Sequence, residues 1–286
     1  MKNQDIKKLS EYILELAPTV SRELKRVYWE MKKNPSNRYQ DVSTRLDKTA
    51  GDLWAKNILK RFKNVRIDSE ERRDCGGRGE IIVRMDPVDG SKHVRCGLDL
   101  AASAISVSFE KKVFFGLVVN PFSEKIYWAY RGKGTFLNGK KIKTNQEGIE
   151  ASFTMCSFPK SQLFKGDSRE FSLRFKSFEE IIKAGFRCRN IGLTTLSVCW
   201  VAEGATSAYV DLSGTTKLYD LEAALLIAQE AGAKASDLKG NSITSDSLAD
   251  LPKSNDLKKH LGIGVVVAGP KAFGQINKIL RNTYKR

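Results

Sequence analysis

Apolar residues recur every three or four positions over the first sixty residues, as they do along the buried face of a helix. This spacing predicts a first helix over residues 3–33. Pro18 is expected to kink or divide it, because proline lacks the N–H that the helix ladder needs. After a polar loop around residues 34–37, a second helix is predicted to begin near Asp47.

The pattern then changes to short segments rich in Val, Ile, Phe and Tyr, separated by turns such as Asn120-Pro121 and Asn138-Gly139. Such segments are typical of strands. We predict an antiparallel meander that packs on the two N-terminal helices. Its strands are expected over residues 80–86, 101–109, 113–120, 125–130 and 135–137, and an earlier one ends near residue 67.

From about residue 150, predicted strands and helices alternate, which favours an α/β arrangement. We therefore expect an N-terminal α+β half (residues 1–150) and a C-terminal α/β half (residues 151–286). The strands are predicted over 153–158, 186–190, 206–211 and 263–268, and the helices over 169–184, 194–203 and 220–231, with a closing helix from Pro270.

Composition adds little to this picture except by exclusion. Hydrophobic residues make up 41% of the 286 positions, yet no apolar run approaches the roughly 18 residues of a membrane span. The N-terminal stretch is charged throughout, unlike a secretory leader, so we expect a cytoplasmic protein with no membrane partner. Five scattered cysteines without a C-x-x-C spacing argue against a disulfide framework and a structural zinc site.

The net charge of +16 means that the protein attracts anions such as nucleic acid or phosphorylated metabolites. No block of about five or six basic residues marks a nucleic-acid arm. A non-catalytic, basic polyanion-binding protein therefore stays open as one hypothesis, although no nucleic-acid partner is expected.

The strongest chemical motif is Asp86-Pro87-Val88-Asp89-Gly90-Ser91, which follows an apolar segment. Pro87 and Gly90 favour a tight turn, which would point both carboxylates and the Val88 carbonyl into one space. Hard divalent cations such as Mg²⁺ prefer such all-oxygen ligands. If a helix starts after Gly90, its free N–H groups suit a phosphate. The alternative is a purely structural turn that closes the strand.

Three further acidic segments accompany this motif. They are Asp68-Ser69-Glu70-Glu71, the stretch from Asp41 to Asp47, and Tyr219-Asp220-Leu221-Glu222-Ala223-Ala224 at the start of an apolar helix. Each alone is typical of a helix cap or a solvated acid. Four together in a strongly basic chain favour a shared metal site.

These motifs resemble those of the inositol monophosphatase family, whose members carry D-P-[IL]-D-G-T and W-D-x-A-A-G signatures with G-E-E upstream. The resemblance covers roughly residues 40–270 in the same order. It implies a layered αβαβα sandwich of the sugar-phosphatase type (an α+β and α/β protein) and a Mg²⁺-dependent phosphomonoesterase. It also implies lithium sensitivity and a homodimer.

The resemblance also implies a role for each matching residue. One Mg²⁺ would be held by Glu70, Asp86 and the Val88 carbonyl, and a second by Asp86, Asp89 and Asp220. Catalysis would use Asp47 and Ser91 to orient and deprotonate a metal-activated water, with Glu70 beside them. Substrate contacts would come from Asp89, Gly90, Ser91, Thr194, Asp211 and Asp220.

The chain departs from the family pattern at several of these positions. Ser91 replaces Thr and keeps the hydroxyl, whereas Glu222 replaces Ala and adds a charge near Asp220. Lys92-His93 replaces the usual Thr-Asn. A Lys directly after the hydroxyl residue resembles the pattern of the 3′-phosphoadenosine 5′-phosphate phosphatases of the same superfamily. The expected substrate is inositol 1-phosphate and/or fructose 1,6-bisphosphate, with a 3′(2′),5′-bisphosphate nucleotide as the alternative. His93 is expected beside the site rather than on the substrate.

Overall fold

A computed structural model describes residues 2–33, 39–71, 77–159, 168–250, 261 and 263–284. The predicted loop at 34–37, as well as Cys75, lies outside the described residues. Of the chain that is described, no helix combines the length and the apolar character that crossing a bilayer requires.

The first two helices are α1 (Lys2–Lys32) and α2 (Tyr39–Arg61). Of the two outcomes expected at Pro18, a division of α1 is wrong, because the helix runs through this residue, and a kink stays a prediction. Apolar side chains on both sides of Pro18 are buried against the sheet, and this packing outweighs one lost hydrogen bond. The predicted start of α2 near Asp47 is also wrong. Val42 and Leu46 extend its buried stripe upstream, so Asp47 lies in the middle of the helix.

Within the described ranges, seven strands form the first sheet, in the order of the chain. The first pair is parallel and all later pairs are antiparallel, so the predicted meander is confirmed. The strands are β1 (Val65–Ser69), β2 (Ile81–Asp89), β3 (Ala102–Phe109), β4 (Lys112–Asn120), β5 (Lys125–Tyr130), β6 (Gly134–Leu137) and β7 (Lys140–Ile142).

The second sheet has five strands in the part of the chain that the structure describes, in the order β11-β12-β10-β8-β9. Strand β11 was not predicted, because its sequence Lys-Ala-Ser-Asp shows neither β-branched residues nor apolar alternation. The strands are β8 (Phe153–Ser157), β9 (Arg187–Arg189), β10 (Thr206–Asp211), β11 (Lys234–Asp237) and β12 (Val265–Ala268).

The remaining helices are α3 (Ser91–Arg95), α4 (Ser168–Lys183), α5 (Thr194–Ala202), α6 (Leu218–Glu230) and α7 (Pro270–Tyr284). Three clusters of buried residues define the layers that they form. Helices α1 and α2 cover one face of the first sheet, α5 and α6 fill the space between the two sheets, and α4 and α7 cover the outer face of the second. The expected layered αβαβα fold is confirmed.

Candidate active site

The ends of two parallel strands bring the first carboxylates together. In the β1–β2 pair, Ser69 lies opposite Met85, and the backbone N–H of Glu70 donates to the Met85 carbonyl at 3.0 Å. Glu70 and Asp86 follow these two residues, so they lie side by side where the pairing of β1 with β2 ends. Both are buried, with 6% and 3% of their surface exposed.

A bulge in β2 brings the second carboxylate of the motif to the same place. Asp86 pairs with Ala104 and Asp89 with Ala102, so three residue steps on β2 match two on β3. Residues three apart in a regular strand face opposite sides, and the extra residue cancels that reversal. Pro87 fits inside the bulge because it has no N–H to offer a neighbouring strand. The predicted tight turn at Pro87 is therefore wrong.

The chain turns only at Gly90, which has a left-handed backbone with φ 97°. A Cβ at this position would lie 2.9 Å from the Leu100 carbonyl oxygen and 2.9 Å from Leu193 Cδ1. Only glycine satisfies both constraints. Helix α3 starts at the next residue, Ser91, as the sequence suggested.

The third element of the site is the start of α6, where Asp220 lies in the first turn. The start of α5 joins it to the motif through Thr195. The backbone N–H of Thr195 donates to Asp89 Oδ2 at 3.0 Å, and its hydroxyl donates to the Asp220 carbonyl at 3.0 Å. The two central helices therefore hold Asp89 and Asp220 in a fixed relation.

The carboxylates form a compact buried cluster. One oxygen each from Glu70, Asp86 and Asp220 lies within 4.8 Å of the others. Burial, and then the neighbouring charges, raise the pKa of Asp86 and of Asp220 well above the usual range. Burial also raises the pKa of Asp89, against the hydrogen bonds from Thr195. A bound cation would offset the negative charge of these buried carboxylates.

The residues present fit a divalent metal ion such as Mg²⁺. Three buried carboxylate oxygens converge, and Asp220 Oδ1 is buried without a hydrogen-bond partner among the described residues. Such a donor set, made of hard oxygens, is the one that Mg²⁺ prefers. The geometry groups Asp220 with Glu70 and Asp86, whereas Asp89 is engaged by Thr195. Val88 is buried and donates its N–H to Asp86 Oδ1 at 3.0 Å.

Asp47 lies half-buried on α2 in the wall of a cavity of about 440 Å³. Ser69 and Pro87, which neighbour two of the clustered carboxylates, line the same cavity. Helix α2 also packs against α3, which begins at Ser91. The structure therefore places Asp47 on the side of the site where the sequence expects the water-activating pair, and that role stays a prediction.

The predicted substrate-binding residues of the C-terminal half form hydrogen bonds with other residues of the protein. Thr194 Oγ1 lies 3.0 Å from the hydroxyl oxygen of Tyr209. Asp211 is fully buried and accepts hydrogen bonds from Ser213 and Thr216, including 2.6 Å and 2.7 Å bonds from their hydroxyls. Asp211 therefore orders the loop before α6, and its contact with substrate stays a prediction.

His93 connects α3 to the segment before α5. Its Nε2 lies 2.6 Å from the Ile191 carbonyl oxygen, and its Nδ1 is buried without a partner among the described residues. The neighbouring Lys92 is exposed. His93 thus links two segments of the fold, whereas Lys92 is exposed to solvent.

Sequence reasoning missed Lys217, whose Nζ lies 2.6 Å from Glu70 Oε1. Burial lowers the pKa of Lys217, but the charges of Asp220, Glu70 and Asp86 outweigh this effect and raise it above the usual range. The available signal was its position three residues before Asp220. Its partner is 147 positions away in the chain, so local pattern could not identify the pair.

A buried polar network was also missed, and it explains the unusual Glu222. Arg84 forms ion pairs with Glu222 and with Asp68, the latter at 3.0 Å. The Ser106 hydroxyl donates to Glu222, and the Tyr219 hydroxyl donates to Asp68 at 2.8 Å. The charge of the extra acid is thus offset by Arg84.

Comparison with known proteins agrees with this geometry. A sequence model described as the inositol monophosphatase family matches residues 4–282. The fructose-1,6-bisphosphatase of Pyrococcus furiosus is 30% identical over 203 residues, which cover 71% of this chain and 73% of the relative. The fructose-1,6-bisphosphatase/inositol-1-monophosphatase of Aquifex aeolicus is 27% identical over 194 residues, which cover 68% and 71%.

Among solved structures, an IMPase/NADP phosphatase complexed with NADP and Ca²⁺ aligns with a TM-score of 0.73. The alignment covers 98% of this chain and 96% of that one at 19% identity, so it supports the fold alone.

Proposed function

Because the chain belongs to the inositol monophosphatase family, whose members are phosphatases, we propose that it uses Mg²⁺ to hydrolyse a small phosphomonoester. One observation supports the metal requirement above all others. Glu70, Asp86 and Asp220 come from three different elements, are all buried, and bring oxygens within 4.8 Å of one another. Burying three like charges is costly unless cations offset them, and the one positive charge of Lys217 leaves part of this charge uncompensated.

In this proposal, Glu70, Asp86, Asp89, Asp220 and the Val88 carbonyl hold Mg²⁺. When bound, Mg²⁺ offsets the charge of the phosphoryl oxygens and makes a water molecule more acidic. The chain's own groups do the rest. Asp47 and Ser91 orient the attacking water and take its proton, while the backbone N–H groups of Gly90 and Ser91 hold the phosphate. The fixed left-handed geometry of Gly90 keeps these N–H groups in place.

The proposed substrates are inositol 1-phosphate and fructose 1,6-bisphosphate. One relative is named for both substrates, since the Aquifex aeolicus protein is called a fructose-1,6-bisphosphatase/inositol-1-monophosphatase. We also propose that Thr194 and Asp211 contact the leaving group of the sugar phosphate. Thr194 directly precedes Thr195, which binds both Asp89 and Asp220. A small phosphorylated metabolite also suits the +16 charge of the chain.

A 3′(2′),5′-bisphosphate nucleotide is the second candidate, and Lys92 is the observation that favours it. Lys92 is exposed and directly follows Ser91, so in this proposal its ammonium would attract a second phosphate of the substrate. The aligned IMPase/NADP phosphatase, which is complexed with NADP, provides a precedent for nucleotide binding on this fold.

Phosphate release from inositol 1-phosphate, fructose 1,6-bisphosphate and 3′-phosphoadenosine 5′-phosphate, with and without Mg²⁺, tests the proposal. We expect Mg²⁺-dependent release, and the ratios of kcat/KM identify the substrate. Lys92→Met should lower kcat/KM selectively for the nucleotide if Lys92 binds the second phosphate. Absence of release from all three would favour the basic polyanion-binding hypothesis instead.

Family membership also leads us to propose a cytoplasmic homodimer that lithium inhibits. Titration of activity with LiCl and light scattering of the purified protein test the last two points.

A further inference from the structure

Lys217 is a cation inside the carboxylate cluster. Its Nζ is 2.6 Å from Glu70 Oε1, a distance typical of a strong charge-assisted hydrogen bond. The charges of Asp220 and Asp86 also act on this ammonium. Lys217 is therefore the partner that partly neutralises the same carboxylates that would hold Mg²⁺.

Glu70 cannot bind Mg²⁺ and the Lys217 ammonium equally well at the same time. A carboxylate oxygen that binds Mg²⁺ lies about 2.0–2.1 Å from the ion, which would place the ion close to an ammonium hydrogen-bonded to the same carboxylate. Two positive charges at that separation repel each other strongly where water is largely excluded. Binding of a metal ion at Glu70 therefore favours displacement of the Lys217 ammonium.

The side chain of Lys217 can change position while its backbone stays in place. The backbone follows the loop that Asp211 orders, and the N–H of Leu261 donates to the neighbouring Thr216 carbonyl at 2.9 Å. The Lys217 side chain is 30% exposed, whereas that of Glu70 is 7% exposed. The ammonium can thus leave Glu70 by rotation of a flexible side chain, without unfolding any element.

Resting on the proposed function, we propose that Lys217 alternates between two partners: Glu70 before metal binds, and the phosphate of the substrate afterwards. In the first position it competes with the metal and weakens metal binding. In the second it supplies a positive charge to the phosphate that the carboxylates alone would repel. Lys217 is then a substrate-contacting residue that also sets the metal affinity of the site.

The test measures metal affinity and kinetics in Lys217→Met, which keeps the length of the side chain and removes its charge. Mg²⁺ binding to EDTA-treated protein is measured by calorimetry without substrate, and kcat/KM is measured at saturating Mg²⁺. Because the competing ammonium is removed, we expect Mg²⁺ affinity to rise about ten-fold, which is about 1.4 kcal/mol. KM for the phosphomonoester should rise by a similar factor. Lys217→Arg should restore most of the wild-type KM.

Lys125→Met is the matched control. Lys125 makes an equivalent ion pair with Glu203 at 2.8 Å, and their side chains are 36% and 8% exposed. This pair lies where α5 ends, away from Thr195 at its start. Lys125→Met should therefore leave both the Mg²⁺ affinity and KM unchanged.

The outcomes separate this proposal from the function on which it rests. If the wild type releases phosphate with Mg²⁺ but Lys217→Met binds Mg²⁺ equally or more weakly, the alternation is wrong and Lys217 is a structural cation. If the wild type neither binds Mg²⁺ nor releases phosphate, the proposed function itself fails.

Discussion

Arg84 and Glu222 form a buried ion pair that joins β2 to α6. Arg84 lies two residues before Asp86, and Glu222 lies two residues after Asp220. The second carboxylate partner of Arg84, Asp68, lies two residues before Glu70. One network thus joins the three elements that carry the clustered acids.

Glu222→Ala, which introduces the residue typical of the family, should destabilise this protein. The change leaves Arg84 buried with Asp68 as its remaining carboxylate partner in the network. Loss of one partner of a buried ion pair costs about 3 kcal/mol. Urea unfolding should show this loss, and replacing Arg84 by Leu as well should recover most of it.

Lys111→Ala is the control for that measurement, because Lys111 pairs with Asp250 on the surface, where their side chains are 75% and 60% exposed. Its effect should stay within about 1 kcal/mol. A Glu222→Ala protein as stable as the wild type would contradict a structural role for the network.

Asp220→Asn should stabilise the metal-free protein. Burial, followed by the charge of Asp89, raises the pKa of Asp220, so holding this carboxylate ionised at pH 7 costs folding free energy. The neutral amide removes that cost, and we expect a gain of about 1 kcal/mol in the free energy of unfolding. The same change should abolish the rise in Tm that Mg²⁺ produces in the wild type, because a ligand stabilises only the state that binds it.

Asp246→Asn serves as the comparison for Asp220→Asn. Asp246 pairs with Arg131 and accepts the Val113 N–H at 2.8 Å, so its variant should lose stability and keep the Mg²⁺-induced rise in Tm. A Tm shift that persists in Asp220→Asn would exclude Asp220 from the metal site.

Asp211→Asn should act through the loop before α6 rather than through one substrate. Asn offers one acceptor oxygen where Asp211 offers two, so hydrogen bonds to Ser213 or Thr216 are lost. We expect a loss of about 2 kcal/mol in stability and a similar fractional loss of kcat/KM on every substrate.

Asp237 orders a comparable turn, in which it accepts the Lys239 N–H at 2.9 Å and the Asn241 N–H at 2.8 Å. Asp237→Asn should therefore leave the kinetics unchanged. If Asp211→Asn keeps its stability and loses activity on inositol 1-phosphate alone, Asp211 contacts the substrate instead.

Local pattern was sufficient to predict most elements, and it placed β5 and β10 with their observed bounds. It failed where packing overrides a local rule, as at Pro18 within α1, and where a buried stripe is sparse, as at the start of α2. The motif around Asp86 predicted two of the buried acids, whereas the bulge that aligns Asp86 with Asp89 depends on pairing with β3.

The parts of the site that sequence could not reveal all depend on partners distant in the chain. Lys217 reaches Glu70, and Arg84 reaches Glu222 across 138 positions. Neither cation follows a spacing rule, because each pairs with an acid that only the folded chain brings close to it. Family resemblance gave the acids and left their cationic partners unassigned.

The central claim is that the buried carboxylates hold a divalent metal needed to hydrolyse a phosphomonoester. Its most direct test is Mg²⁺-dependent phosphate release by Asp86→Asn on the substrate that the wild type hydrolyses best, with Asp237→Asn as control. Asp86 contributes one of the three buried carboxylate oxygens that lie within 4.8 Å of one another, so its loss should nearly abolish turnover while the control keeps wild-type rates. Retention of most activity by Asp86→Asn, at the same Mg²⁺ dependence, would contradict the account.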